Sequence, residues 1–407
     1  MARDPQAILE AGPMSRAQWA TVAVMVGLNA LDGFDVLSIS FASPGIAKAW
    51  GIERAALGLV LSMELIGMAL GSLTLGGLAD RIGRRAIILA CLVVMMGGMI
   101  GAASAPNVEI LSIWRLLTGI GIGGMLAATN AAVAEAANAK RRSLCVVLMA
   151  AGYPLGTIVG GSIAALLLGH YGWQSVFIFG AIVTASFIPL VLLVAPESIA
   201  FLLHKRPSNA LERINRLLVR MEHAPAEALP DLAAGQRKVP IADLFSPEHV
   251  RSTVVLTIAY LAHIMTFYFI LKWIPKIVVD MGYAPSAAAG VLVAASAGGA
   301  AGSLLLGLLT ARVRLLPLTI VAMVASVILV SVFGRGGSNL AQLSMLAAAA
   351  IAEPRPIRNA TSANEQPDAK SSPASAGASA EPPRPTPITK PVAVAREPVG
   401  KLRASSA

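Results

Sequence analysis

The chain has 407 residues, of which 56% are hydrophobic and only 13% are charged, against about 25% charged residues in an ordinary soluble domain. A soluble fold cannot bury so much apolar surface, so the composition excludes a soluble globular protein and predicts an all-α polytopic membrane protein. The formal net charge of +10 would suit a nucleic-acid-binding protein, but the positions of the basic residues indicate another origin for it.

Apolar runs predict the membrane helices, because about 20 apolar residues are needed to cross a bilayer. Such runs occupy residues 19–43, 56–79, 86–106, 109–133, 143–168, 174–195, 252–278, 286–310 and 315–334, and a further run, 338–352, is short for a span. The polar stretch 196–251, with an amphipathic helix expected around ALERINRLLVRM, divides them. We therefore expect a complete six-helix bundle at 19–195 and a partial bundle of three to four spans at 252–352.

The basic residues lie in alternate loops. The richest of these loops is 196–251, and the others carry Arg81, Arg84, Arg85, Lys140, Arg141 and Arg142. Because positively charged loops stay on the cytoplasmic side, residues 1–18 and 196–251 are expected to be cytoplasmic, in a multi-pass protein of the inner (cytoplasmic) membrane. The positive charge therefore reflects topology. The lipid bilayer, not nucleic acid, is the expected partner, and a monomer is the expected state.

Residues 353–407 differ in composition from the rest of the chain. They are rich in Pro, Ala and Ser and contain no apolar run long enough to span a membrane. Such a composition cannot bury enough apolar surface to offset the entropy of ordering the chain, so disorder is predicted. The abrupt change at Glu353 also suggests a frameshift or a rearranged gene end, which would leave the second set of spans incomplete.

Two aspartates, Asp32 and Asp35, lie inside the first apolar run, in the segment GLNALDGFDVLSIS. A charged residue at the centre of a membrane helix costs roughly 3 kcal/mol on insertion scales, so the pair needs a reason. At a spacing of three residues the two side chains share one helical face. A desolvated carboxylate beside a like charge can load and release a proton near neutral pH, as a proton-coupled carrier requires. The alternative is that the pair only bonds neighbouring helices.

The string GGLADRIGRR, residues 76–85, joins the second and third runs. Its glycines permit a tight reversal, and its charged side chains can pair with one another and with helix ends. This string resembles the signature loop of the major facilitator superfamily, and the plan of six spans, a long loop and a second set of spans agrees with that family. The resemblance implies a gating loop that latches the two halves together, made by Gly77, Asp80, Arg81, Gly83 and Arg84.

Two further segments narrow the resemblance. DGFD in the first run and FYFILKWIPKIVVDMGY, residues 267–283, resemble the aromatic acid:proton symporter family, and the likeness covers roughly residues 15–335. It implies a major facilitator-type fold and proton-driven uptake of benzoates and hydroxybenzoates. No cofactor is expected, and the two cysteines, Cys91 and Cys145, carry no metal or disulfide spacing.

The polar residues within the spans supply the candidate site. The candidate proton-coupling residues are Asp32, Asp35 and Glu135. The candidate substrate-binding residues are Arg115, Asn29, Asn130 and Tyr260, and the guanidinium of Arg115 is expected to meet the substrate carboxylate. For both Arg115 and Glu135 the alternative is a charged group that snorkels from the end of a span.

Three other polar residues in the spans remain ambiguous from the sequence. Glu64 is either a second proton site or an interhelical bonding partner. Lys272 is expected to snorkel outward, and the alternative is a cation that faces a carboxylate substrate. The lone His263 is expected to be a bonded residue of the helix interface.

The leading hypothesis is a secondary active transporter for the proton-coupled uptake of small aromatic carboxylates of the benzoate and hydroxybenzoate type, whose partners are that substrate and protons. The alternative is a truncated or rearranged carrier product that inserts into the membrane without transport activity. An enzyme is not expected, because neither a metal cluster nor a nucleophile–base arrangement can be recognised.

Overall fold

The computed structural model describes residues 4–230, 245–247, 249–309, 315–334 and 340–351. The described helices are α1 (Pro5–Ala11), α2 (Arg16–Trp50), α3 (Arg54–Ile82), α4 (Arg84–Ala103), α5 (Val108–Ala136), α6 (Arg142–His170), α7 (Gln174–Val194), α8 (Ile199–Lys205), α9 (Ala210–Arg220), α10 (Val250–Asp280), α11 (Pro285–Leu309), α12 (Leu315–Gly334) and α13 (Leu340–Ile351). The disorder predicted for 353–407 lies outside the described residues.

The predicted apolar runs coincide with helices. Within the described ranges, 8 helices are long and apolar enough to cross a membrane, namely α2 to α7, α10 and the segment Pro285–Gly302 of α11. Helices satisfy every backbone hydrogen bond internally, which is why they can exist in lipid. The prediction of an all-α, multi-pass membrane protein with six spans ahead of the long polar stretch is confirmed.

Glycines bring α3 and α5 into close contact. A Cβ atom added at Gly67 or Gly71 of α3 would overlap the backbone of α5, and one added at Gly119 or Gly123 of α5 would overlap the backbone of α3. Small residues at these spacings let two membrane helices approach until their backbones touch. This contact fixes the middle of α3 against the middle of α5 and so determines which of their polar side chains meet.

Three short helices form a small separate cluster. Buried side chains of α1, α8 and α9 contact one another; the central ones are Leu9, Ile199, Leu202, Ile214 and Leu218. The helix expected around ALERINRLLVRM is present as α9, with one apolar face buried in this cluster. The cluster covers the end of the bundle at which the loop between α3 and α4 lies.

The second set of helices joins the same core as the first. Leu271, Ile274 and Val278 of α10 belong to a buried cluster that also contains residues of α2, and α11 lies against α6. The N-terminal part of α10, in contrast, presents exposed apolar side chains such as Leu256 and Ile258. The boundary between the two sets of helices therefore runs between α2 and α6 on one side and α10 and α11 on the other.

Candidate functional site

Three charged side chains meet in the interior of the bundle, each from a different helix. Glu64 of α3, Arg115 of α5 and Lys272 of α10 are all buried. One carboxylate oxygen of Glu64 accepts a hydrogen bond from Arg115 Nη2, and the other lies 2.6 Å from Lys272 Nζ. Buried charges are stable only when they are paired and hydrogen-bonded, and this carboxylate pairs with both cations at once.

Both cations also bond the backbone of α2. Arg115 Nη2 donates to the carbonyl oxygen of Asp35 at 3.0 Å, and Lys272 Nζ donates to the carbonyl oxygen of Val36 at 2.8 Å. The Arg115 guanidinium carbon lies 5.4 Å from the ring centroid of Phe177, a distance at which a cation is attracted to an aromatic face. Two buried cations therefore bond successive carbonyl groups in the middle of α2.

Asp32 and Asp35 lie on α2, and the backbone carbonyl group of Asp35 is one that Arg115 bonds. Their side chains are 2% and 0% exposed, and none of their four carboxylate oxygens has a hydrogen-bond partner in the part of the chain that the structure describes. Buried polar groups are normally hydrogen-bonded, so two adjacent unsatisfied carboxyl groups call for an explanation.

The structure resolves the ambiguous interior charges. Arg115 does not snorkel from the end of α5, because its side chain is 0% exposed. The expectation that Lys272 snorkels outward is wrong, since its ammonium group is buried against Glu64. Glu64 is an interhelical bonding partner in this structure. The side chain of His263 lies outside the described residues.

Of the other candidate substrate-binding residues, only Asn29 lies near the buried charged side chains. Asn29 is buried one turn from Asp32 and donates to the carbonyl oxygen of Met149 at 2.6 Å. Asn130 is exposed and bonds the carbonyl oxygen of Leu126 in its own helix at 2.7 Å, and Tyr260 is 65% exposed. At a rise of about 1.5 Å per residue, both lie several turns along α5 and α10 from the charged residues.

Glu135 lies in the last turn of α5 and pairs with the loop between α3 and α4, not with the interior charges. Its carboxylate lies 2.9 Å from Arg84 Nη2, which is also 3.0 Å from Asp80. Glu197 accepts hydrogen bonds from the backbone N–H groups of Arg84 and Ser198 at 2.9 and 3.0 Å, and so occupies the N-terminus of α4, where a negative charge is favourable.

The remaining gating-loop residues differ in how tightly they are enclosed. Gly83 has a φ of +114° and faces the Glu197 carboxylate, so a side chain there would be strained. A Cβ atom at Gly77 would meet no atom within 4 Å, and Arg81 is exposed. Of the two glycines, Gly83 is therefore the one at which the backbone conformation requires glycine.

Known proteins resemble the chain over most of its length. A profile of the Major Facilitator Superfamily matches residues 25–354. The 4-hydroxybenzoate transporter PcaK of Acinetobacter baylyi is 32% identical over 289 residues, which are 69% of this chain and 62% of that protein. The gallate transporter of Pseudomonas putida is 30% identical over 296 residues, 72% of this chain and 66% of that protein. The chain thus spans a little under two thirds of the length of these curated relatives.

A solved structure shares the fold. The xylose transporter XylE from E. coli, in a partially occluded inward open conformation, matches with a TM-score of 0.64 and 18% identity, covering 82% of this chain and 84% of that one. At this identity the likeness shows the fold alone. Together with the relatives above, it confirms the family resemblance that the sequence motifs predicted.

Proposed function

Because the chain belongs to the Major Facilitator Superfamily, we propose that it is a secondary active transporter that couples the movement of protons to the uptake of small aromatic carboxylates across the cytoplasmic membrane. The named substrates of its relatives, 4-hydroxybenzoate and gallate, support this substrate class, since each carries one carboxylate on an aromatic ring. Residues 1–18 and the long loop lie on the cytoplasmic side in this proposal.

One observation carries the proposal. Asp32 and Asp35 are buried carboxyl groups without hydrogen-bond partners in the described residues, and they lie on α2, whose backbone carbonyl groups at Asp35 and Val36 are bonded by the buried cations Arg115 and Lys272. Polar groups are expensive within a membrane and are retained where they act on ions or substrates. A site that holds both proton acceptors and cations suits a carrier of protons and organic anions.

The roles follow from these positions. Asp32 and Asp35 take up and release protons. Arg115 supplies positive charge to the substrate carboxylate, and Asn29, one turn from Asp32, supplies a polar group beside it. Carriers of this superfamily rock their two halves around a central site, so the carboxyl groups face each side of the membrane in turn.

The loop between α3 and α4 controls that motion in our proposal. Asp80, Arg84 and Glu135 form ion pairs between helix ends, and these pairs break and re-form as the halves move. Glu135 acts here with the loop, not in proton coupling.

The alternative, a carrier-derived product without transport activity, is not favoured by the similarity to functional transporters over 69% and 72% of the chain.

Uptake by the purified, reconstituted chain tests the proposal. Proteoliposomes with an alkaline interior should accumulate labelled 4-hydroxybenzoate, and a protonophore should abolish the accumulation. Unlabelled benzoate and gallate should compete, whereas xylose should not, because the likeness to the xylose transporter concerns only the fold. Accumulation that is unaffected by the protonophore would exclude proton coupling, and competition by xylose alone would exclude the substrate class.

A further inference from the structure

The ion pair between Glu64 and Lys272 crosses the boundary that a rocking motion has to open. Glu64 lies on α3 of the first six-span set, and Lys272 lies on α10, the first helix of the second set; 208 positions separate them in the chain. The only other ion pair between α3 and α10 in the described residues joins Arg54 to Asp280 at 3.1 Å, where the Arg54 side chain is 77% exposed. Glu64–Lys272 is therefore the buried electrostatic contact between these two helices.

The two ends of this pair are held unequally. Glu64 keeps a second charged partner, Arg115, on its other oxygen. Besides Glu64, Lys272 has only a carbonyl oxygen, that of Val36, as a hydrogen-bond acceptor in the described residues. If α3 and α10 separate, Glu64 stays neutralised by Arg115, whereas Lys272 loses the carboxylate that neutralises it. A buried charge that loses its partner is strongly unfavourable.

The charge balance of these three residues also leaves room for another anion. Arg115 and Lys272 are two cations that share the single carboxylate of Glu64, and the carboxylate oxygens of Asp32 and Asp35 bond neither of them. When Asp32 and Asp35 carry protons, one monovalent carboxylate would balance the remaining positive charge. A neutral amide would not balance it, and a dicarboxylate would bring one negative charge too many.

We propose that Lys272 is the residue of the second helix set that binds the substrate carboxylate, and that Glu64 is an internal carboxylate that occupies Lys272 when no substrate is bound. The substrate displaces Glu64 from Lys272, and Glu64 remains on Arg115. This inference rests on the proposed function and adds to it a substrate-binding residue on α10 and an internal competitor on α3.

If Glu64 and the substrate compete for Lys272, substitutions at these two residues should change the affinity for benzoate in opposite directions. Lys272→Gln removes the group that binds the substrate carboxylate, so the affinity for benzoate should fall by roughly tenfold or more, as expected for a lost charge-assisted hydrogen bond. Glu64→Gln removes the internal competitor, so the affinity for benzoate should rise. Arg54→Gln is the matched control, because it breaks the exposed pair between the same two helices without altering the buried charges, and it should leave the affinity unchanged.

The experiment is a binding titration of the full chain in detergent with labelled benzoate, competed by benzamide and by phthalate. We expect binding of benzoate, no competition by the neutral amide, weak competition by the dianion, and the two opposite shifts. Equal losses of affinity in Glu64→Gln and Lys272→Gln would overturn the proposal, because a purely structural ion pair behaves in that way. Unchanged affinity in Lys272→Gln would also overturn it.

Two further readouts keep the result interpretable. If Glu64→Gln does not fold, as judged by gel filtration, the comparison of Lys272→Gln with Arg54→Gln decides alone: a loss confined to Lys272→Gln supports the proposal, and equal affinities contradict it. Absence of benzoate binding by the unaltered chain would contradict the proposed function itself. Benzoate binding that does not depend on Lys272 would contradict only the present inference.

Discussion

The chain contains two networks of acidic and basic side chains that differ chiefly in their access to solvent. The loop network joins Asp80, Arg84, Glu135 and Glu197 at one end of the bundle, where the side chains of Arg84, Glu135 and Asp80 are 14%, 20% and 72% exposed. The interior network joins Glu64, Arg115 and Lys272 to the backbone of α2, the helix that carries Asp32 and Asp35, and all five of these side chains are nearly or fully buried.

The difference shows how burial changes the energetic cost of losing an ion pair. In the loop network each carboxylate has a charged or backbone donor, and the Asp80 side chain is exposed to water, so the loss of its ion pair costs little. In the interior network two carboxyl groups have no hydrogen-bond partner in the described residues, and the loss of Glu64 would leave two buried cations without the carboxylate that bonds them both. Function should therefore depend steeply on the interior network and gradually on the loop network.

The largest effect is expected at the unsatisfied carboxyl groups. Asp32→Asn and Asp35→Asn should each reduce gradient-driven accumulation of 4-hydroxybenzoate to background, because an amide cannot carry a proton across the cycle. Uptake into proteoliposomes measures this. The matched control is Glu109→Gln, which neutralises an exposed carboxylate at the start of α5 and should accumulate substrate normally. Normal accumulation in both aspartate variants would remove the basis for proton coupling at this site.

The next largest effect concerns the folded state. Arg115→Ala should lower the free energy of unfolding by roughly 3–5 kcal/mol, the usual cost of breaking a buried ion pair, and should also weaken substrate binding. Thermal unfolding of the detergent-purified protein measures the first effect. Adding Glu64→Gln should lower the stability further, because Glu64 is still paired with Lys272 in Arg115→Ala and its loss leaves the buried Lys272 ammonium group without a carboxylate. A double variant more stable than Arg115→Ala would contradict the pairing of Glu64 with Lys272.

A smaller effect tests the helix contact that places Glu64 next to Arg115. Gly123→Ala should lower the free energy of unfolding by about 1–3 kcal/mol, as overpacking usually does, because the added methyl group would overlap the carbonyl oxygen of Met68. Gly77→Ala is the control substitution within α3, since its methyl group would meet no atom within 4 Å. Equal melting temperatures for the two variants would argue against close backbone contact between α3 and α5.

The smallest effect on stability is expected in the loop network. Asp80→Asn removes one partly screened ion pair with Arg84, so the free energy of unfolding should change by about 0–1 kcal/mol. Insertion should be normal, whereas exchange of substrate across the membrane should slow, because the latch between the two halves loses a charge. A rate of counterflow equal to that of the unaltered protein would leave the loop without a role in alternating access.

The sequence predicts the helices well and the site unevenly, for physical reasons. Long apolar runs have one stable arrangement in lipid, so α2 to α7 could be predicted from hydropathy. Asp32 and Asp35 were predictable because a carboxylate is conspicuous in such a run. The pairing of Glu64 with Lys272 was not, because hydropathy does not show which face of one span meets which face of another 208 positions away.

The misplaced candidates show the same limit. Tyr260 and Asn130 are polar residues in apolar runs, but neither lies with the interior charges, and Tyr260 is 65% exposed. One signal could have found the missed pair: a mid-span glutamate and a mid-span lysine are each expensive in lipid, and each is the other's natural neutralising partner. Counting the acidic and basic residues within all the spans together can therefore indicate which spans contact each other, whereas the hydropathy of one span cannot.

The most direct test of the account is simultaneous measurement of proton and substrate entry into proteoliposomes that contain the full 407-residue chain. With a pH-sensitive dye trapped inside, addition of external 4-hydroxybenzoate should acidify the lumen as labelled substrate enters, and Asp35→Asn should abolish that substrate-dependent acidification. Substrate entry without proton entry in the unaltered protein, or undiminished acidification in Asp35→Asn, would contradict the claim that the buried carboxyl groups couple protons to an aromatic carboxylate.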